Sequence, residues 1–255
     1  MGKRSSWSIP YLIFLVIFVV LPLILILVYA LQDSQGGFTF SNVTRFFSDS
    51  DAIGTFAVSI EVAIENTAIC LLLGYPAAWI LANTKYNRSA VTIVLFILPM
   101  WINALMRTLA TAELFNVLGF TLGKGTLLFG LAYDYLPFMI YPIYNTLKKM
   151  DKSYAEAAED LGATPFTVFR KVTVPLSMPG ISSGVLMVFM PTVSTFAISE
   201  FLTNNKIKLF GTIIQENINS SMWNYGAALA LIMLVIIGIT SLFSEPEKEA
   251  EGGLL

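Results

Sequence analysis

The chain has 255 residues, 56% hydrophobic and only 13% charged, with a net charge of −2. A soluble domain carries about 45–50% apolar and about 25% charged residues, so this composition is that of a membrane protein whose excess apolar surface faces lipid. The near-neutral charge gives no case for a nucleic-acid partner, and the lack of any histidine removes histidine metal sites and Ser–His or Cys–His catalysis.

Residues 1–8 are polar, with Lys3 and Arg4. Residues 11–31 are then apolar for 21 positions, enough to cross a hydrocarbon core of about 30 Å. The run is too long for a signal-peptide core and has no small-x-small cleavage site, so an uncleaved first span is expected. A polar loop with Gly36-Gly37 covers 32–54. The second span, 55–81, holds Glu61, Glu65, Gly74, Pro76 and the single cysteine, Cys70, which has no partner for an internal disulfide. A basic turn at 83–89 carries Lys85 and Arg88. The third span, 90–112, contains Pro99 and Arg107, and a glycine-containing loop follows at 113–124. The fourth, 127–147, contains Asp134, Pro137 and Pro142. The fifth, 181–202, contains Gly184, Pro191 and Glu200. Residues 203–222 are polar, and the sixth span is 223–243. Prolines inside spans remove backbone hydrogen bonds and permit kinks. The expected architecture is all-α and polytopic, with six transmembrane helices in one domain, 1–244. An acidic tail, 245–255, is expected to be disordered.

Lysine and arginine fix the expected orientation. With the N-terminus inside, the inner segments hold ten: Lys3, Arg4, Lys85, Arg88, Lys148, Lys149, Lys152, Arg170, Lys171 and Lys248. The outer segments hold four: Arg45, Lys124, Lys206 and Lys208. Both termini are therefore expected in the cytoplasm.

Between spans four and five, residues 154–180 read YAEAAEDLGATPFTVFRKVTVPLSMPG. Strong helix formers with early acids predict a helix over 155–161, ended by Gly162. Thr164 is placed to cap a second helix and Pro165 suits its first turn. Phe166, Val168, Phe169 and Val172 give that helix an apolar side. Pro175 and Pro179 are expected to break the chain before the next span.

Five acids fall in or near the spans: Glu61, Glu65, Glu113, Asp134 and Glu200. Against them stands one intramembrane base, Arg107. Ionisable groups at membrane depth are costly and mark pathways or partners. An acidic excess suits a small cationic solute. Position at the outer interface, with Arg107 as a counter-ion for one of the acids, is the alternative for Glu61, Glu113 and Glu200. Trp101, Tyr133, Tyr135 and Phe196 are candidates to line a path for methylene chains; an interfacial belt or helix packing is the alternative. Gly123-Lys124-Gly125 lacks the earlier glycine and the Ser or Thr of a phosphate loop, so any ATP chemistry belongs to another chain. No metal-ligand or nucleophile–base spacing is present, and no cofactor is expected.

The sequence Glu156-Ala157-Ala158, three residues, Gly162, nine residues, Val172-x-Val174-Pro175 resembles the EAA motif of ABC importer permeases. The family pattern ends in Ile-x-Leu-Pro, and both aliphatics are Val here. From the first span to Phe243 the chain resembles the spermidine/putrescine (PotB-type) permease family, through stretches such as MRTLA, LPFMIYPIY and WNYGAALAL. The resemblance implies a type I ABC importer permease fold in a bacterial inner membrane. It implies a transport subunit that is not itself an enzyme, importing polyamines. Loop 151–180 would couple to the ATPase through Glu156, Ala157, Ala158, Gly162, Ala163, Thr164, Pro165 and Phe166. The implied partners are ABC ATPase subunits, a second homologous permease, an extracytoplasmic solute-binding protein and membrane lipid. The residues leave open a permease for an anion or metal complex, and a non-transporting scaffold. An intramembrane aspartyl enzyme needs two facing aspartates, and only Asp134 is placed for that.

Overall fold

A computed structural model describes residues 9–33, 35–83 and 91–242. The basic start, the turn with Lys85 and Arg88, and the acidic tail lie outside them. The described residues form helices joined by turns, with one isolated antiparallel bridge between Gln32 and Phe38.

The helices are α1 (Pro10–Ala30), α2 (Ser41–Ser48), α3 (Ser50–Ala82), α4 (Val91–Trp101) and α5 (Ala104–Val117), α6 (Lys124–Lys149), α7 (Ser153–Asp160), α8 (Pro165–Leu176), α9 (Met178–Ser194), α10 (Ala197–Thr203), α11 (Phe210–Asn219) and α12 (Trp223–Leu242). Four of them, α1, α3, α6 and α12, are each long and apolar enough to cross a membrane. The pairs α4–α5, bent by 89°, and α8–α9, bent by 64°, bring the total to six when each pair is one span.

The predicted third span is therefore not one run. Ile102 is extended and Asn103 restarts the helix, its Oδ1 accepting from the Leu105 N–H at 2.9 Å. A side-chain cap satisfies an orphan donor and makes a new helix start cheap inside an apolar stretch. Because α5 runs on to Val117, Glu113 lies on a helix and not in the predicted loop. The fifth span begins at Met178 and stops at Ser194, before a short break and α10. The polar stretch 203–222 is not a plain loop either. Its α11 buries Phe210, whose N–H donates to the Ser59 hydroxyl at 2.7 Å. Pro175 does not interrupt α8, because the turn before it widens to π geometry over Phe169–Thr173. The direction changes instead at Ser177, between α8 and α9.

The centre is α3, α6 and α9, packed around Cys70, Ala78, Met139, Ile140, Ile143 and Val188. Lipid is as apolar as a leucine side chain, so spans associate through close packing and polar cross-links. One such cross-link is buried: Asn66 Nδ2 donates to Thr192 Oγ1 at 2.9 Å, joining α3 to α9. A second cluster holds α2, α11 and α12 to the start of α3. There Phe46, Phe56 and Phe210 meet edge to face, with Tyr225 and Leu229 buried beside them. α1 packs on α12 and otherwise presents apolar side chains outward.

Candidate functional site

Three places bring the predicted residues together. The first is the hairpin of α7 and α8. Asp151 receives the Ser153 N–H at 3.0 Å, and that bond holds its carboxyl below the usual carboxylate range. α7 ends at Gly162 with φ +83°, where the Gly162 N–H donates to Glu159 O and the Ala163 N–H to Ala158 O. A left-handed residue closing a helix with such bonds is the preferred place for glycine. Thr164 caps α8 by accepting from the Thr167 N–H, with Pro165 in the first turn. The inner side of the hairpin is held by Val168, buried, and by Phe169, whose ring lies edge-on to Tyr75 at 5.7 Å and Trp79 at 6.4 Å. The outer side is left open. Leu161 is 90% exposed and Phe166 71% exposed, flanking Gly162, Ala163 and Thr164. Glu156 and Ala157 are exposed as well, and Ala158 is half-buried.

The second place is at the opposite end of the spans. Glu61 and Glu65 lie one turn apart on α3, and Lys124, the first residue of α6, reaches both, at 2.6 and 2.8 Å. A cavity of about 850 Å³ opens there between α3, the loop before α11 and α12, with Glu61, Glu216, Arg45, Lys124, Lys206 and Lys208 in its lining. The acidic excess counted from the sequence is reduced and not removed: Lys124, expected in a loop, is the first residue of α6 and sets one positive charge against two of the five acids.

The third place is inside. Asp134 of α6 and Arg107 of α5 form an ion pair at 2.9 Å, with side chains 3% and 6% exposed. Asp134 Oδ2 also accepts from Thr108 at 3.3 Å, and the guanidinium lies 5.5 Å from the centre of the Tyr133 ring. Trp101 and Tyr135 line a cavity of about 440 Å³ beside the pair. Glu113 and Glu200 join neither site. Glu113 is exposed on α5, and Glu200 is half-buried in the first turn of α10. Phe196, also a candidate, stands exposed at the break before α10. Among the described residues no three His, Cys, Asp or Glu side chains gather as a metal site.

Sequence reasoning expected a break at Pro175 and Pro179, and the corner at Ser177 falls between them, but it missed what ties that corner to α3. The Ser177 hydroxyl lies 2.9 Å from the Tyr75 hydroxyl, and nothing in the local sequence pairs these positions. Asn103 was legible in principle, since an asparagine in an apolar run is a cap signal.

Comparison with known proteins decides the family. The model of the binding-protein-dependent transport system inner membrane component family matches residues 69–245. The chain belongs to that family. It is 33% identical to the spermidine/putrescine transport system permease protein PotB of Escherichia coli (strain K12) over 220 residues, covering 79% of this chain and 80% of that one. It is 30% identical to PotB of Haemophilus influenzae over 249 residues, covering 88% and 87%. Among solved structures it resembles a bacterial ABC transporter involved in the import of the acidic polysaccharide alginate, with TM-score 0.65 and 17% identity over 95% of this chain and 96% of that one. That likeness shows the fold, a type I ABC permease. As a binding-protein-dependent permease this is a multi-pass inner-membrane transport subunit.

Proposed function

We propose that this chain is the membrane-spanning subunit of an ATP-driven importer of polyamines, spermidine or putrescine. The observation that carries the transport role is the hairpin corner, which leaves Leu161 and Phe166 bare around a left-handed Gly162. Exposed apolar side chains on a rigid corner mark a protein contact. The contact is read as a groove on an ABC ATPase subunit, engaged by Glu156, Ala157, Ala158, Gly162, Ala163, Thr164, Pro165 and Phe166. ATP-driven movement of that subunit is carried through α8 to the corner at Ser177 and on into α9.

The solute class is taken from the relatives named above and from the carboxylates Glu61, Glu65 and Asp134, with Glu113 and Glu200 as further pathway candidates. An extracytoplasmic binding protein delivers the solute to the mouth at Lys124, and a second, homologous permease completes the path. The lysine and arginine asymmetry supports both termini inside. Residues 1–244 form the translocating domain, followed by the acidic tail.

The test is uptake of radiolabelled spermidine and putrescine by cells lacking this chain, with and without it restored beside its other subunits. ATP-dependent uptake on restoration is expected. Absence of uptake, with the chain assembled in the membrane on its ATPase, overturns the polyamine reading and leaves the permease.

A further inference from the structure

Asp134 lies ten residues into α6, about 15 Å along the helix from Lys124. That depth is well inside the spans. Arg107 and Asp134 are 7% and 2% exposed as whole residues. Yet the guanidinium is poorly held. Its Nε and Nη1 are buried with no hydrogen-bond partner among the described residues, and Asp134 Oδ1 meets Nη2 as an ion pair without hydrogen-bond geometry. Buried donors left without partners cost about 1–3 kcal/mol each, so this arrangement is one the protein tolerates and does not optimise. Beside the pair lies the cavity of about 440 Å³, within the usual size of small-ligand sites. Its walls include Trp101, Tyr135 and Phe138, with Asn103 at the helix break. Aromatic faces attract ammonium groups and also accept methylene chains.

We propose that Asp134 is an ammonium subsite locked by Arg107, and that an alkyl-ammonium solute passes by taking the place of the guanidinium on the Asp134 carboxylate. The inference rests on the polyamine reading above and adds a mechanism of selection to it. Arg107 keeps the carboxylate neutralised between transport events, so the membrane-depth charge is never bare. Its two unpartnered donors lower the cost of displacement. A neutral solute offers no charge to Asp134 and leaves the pair closed.

The test separates a lock from a structural ion pair by crossing two variants in the whole importer, reconstituted with its ATPase and binding protein. Arg107→Met leaves the carboxylate free for the solute. Arg107→Met with Asp134→Asn removes both charges, a change that a merely structural pair tolerates well. The lock predicts that the single variant keeps spermidine uptake with a lowered KM. It predicts that the double variant loses uptake by about tenfold or more, equivalent to 1.4 kcal/mol. Uptake lost in the single variant and kept in the double overturns the lock. Should the methionine variant fail to reach the membrane, Arg107→Lys keeps the charge without the planar fork. A lowered KM supports displacement, and an unchanged KM overturns it. Wild-type importer measured alongside distinguishes the two levels. Absent wild-type uptake of spermidine overturns the polyamine reading and the lock with it. Normal wild-type uptake with a fully active double variant overturns the lock alone.

Discussion

The Tyr75 hydroxyl donates to the Ser177 hydroxyl at 2.9 Å, tying α3 to the corner between the hairpin and α9. The direction follows from proton count. Ser177 has one hydroxyl hydrogen, and Val174 O also lies 2.9 Å away, so the arrangement that satisfies both bonds has Tyr75 donating. Both residues are buried. The two partners are therefore not equivalent. Tyr75→Phe removes the donor and leaves Ser177 still bonded to Val174, at about 0.5–1.5 kcal/mol. Ser177→Ala strands a buried tyrosine O–H and costs about 1–3 kcal/mol. Thermal unfolding of the detergent-solubilised chain is expected to rank Ser177→Ala below Tyr75→Phe. Both variants are expected to lower the uptake obtained per ATP hydrolysed, because the corner is loosened.

Gly162 offers a sharper probe of coupling. At φ +83° a residue with a side chain is strained by about 1–2 kcal/mol, least for asparagine, most for a β-branched residue. Nothing lies within 4 Å of a Cβ placed there, so the cost is conformational and not a clash within the chain. Gly162→Asn is expected to retain transport. Gly162→Val is expected to reach the membrane, but with ATP hydrolysis no longer matched by uptake. Paired ATPase and uptake assays decide the matter, and normal uptake by the valine variant counts against a coupling role.

The hairpin was legible because its signals are local. Helix formers, a terminating glycine, a capping threonine and an early proline all act within a few residues, and the structure places each as predicted. The apolar runs were equally plain, since a membrane asks only for length and hydropathy. What sequence could not supply was pairing at a distance. Lys124 sits 59 positions from Glu65, and Tyr75 sits 102 positions from Ser177. The break before α10 was hidden because hydropathy continues across it, and the same continuity outweighed the cap signal of Asn103. The helix α11 was hidden for the opposite reason. Lys206, Lys208 and Glu216 make 203–222 look like loop, while its buried face is carried by Phe210 and Thr212.

Lys124 bridges two carboxylates at an exposed site, where solvent screening keeps its contribution to stability small. Its effect on the solute is expected to be larger. Lys124→Met frees Glu65 and, in the cavity lining, Glu61, and is expected to lower the KM for a cationic solute. Glu65→Gln is expected to raise it. Both differences should shrink as salt is raised, because exposed charges are screened over about 8 Å at physiological ionic strength. Uptake titrations at low and high salt check this.

Asp49 gives the N-terminal end of α3 a pH dependence. Its Oδ1 accepts from the Ala52 and Asp51 N–H groups, and its Oδ2 accepts from the Tyr225 hydroxyl at 2.9 Å. The Ala52 bond leads in holding this carboxyl below its usual range, followed by Tyr225. A folded value below the unfolded one, about 3.9, means the contribution is complete above that value and is lost as pH falls through the folded value. Asp49→Ala is expected to lower stability by about 1 kcal/mol near neutrality, the usual worth of a cap. The gap between wild type and variant should narrow in unfolding scans taken below about pH 4.

Gly184 carries the packing argument at the centre of the fold. A Cβ there would stand 2.8 Å from Met139 Sδ and 3.2 Å from the Met139 carbonyl. The sulfur ends a flexible side chain and gives way readily. The carbonyl belongs to α6 and moves only if the helices part. Small residues at such crossings let backbones approach where lipid supplies no drive of its own. Gly184→Leu is therefore expected to destabilise the solubilised chain by about 1–3 kcal/mol through overpacking. Gly54, on the exposed side of α3, has nothing within 4 Å of the same position. Gly54→Ala is expected to leave stability unchanged or raise it by about 0.5–1 kcal/mol, since alanine is the better helix former. A thermal-shift comparison of the two variants measures close approach against helix propensity. Equal shifts would mean that α9 and α6 are not held together at Met139.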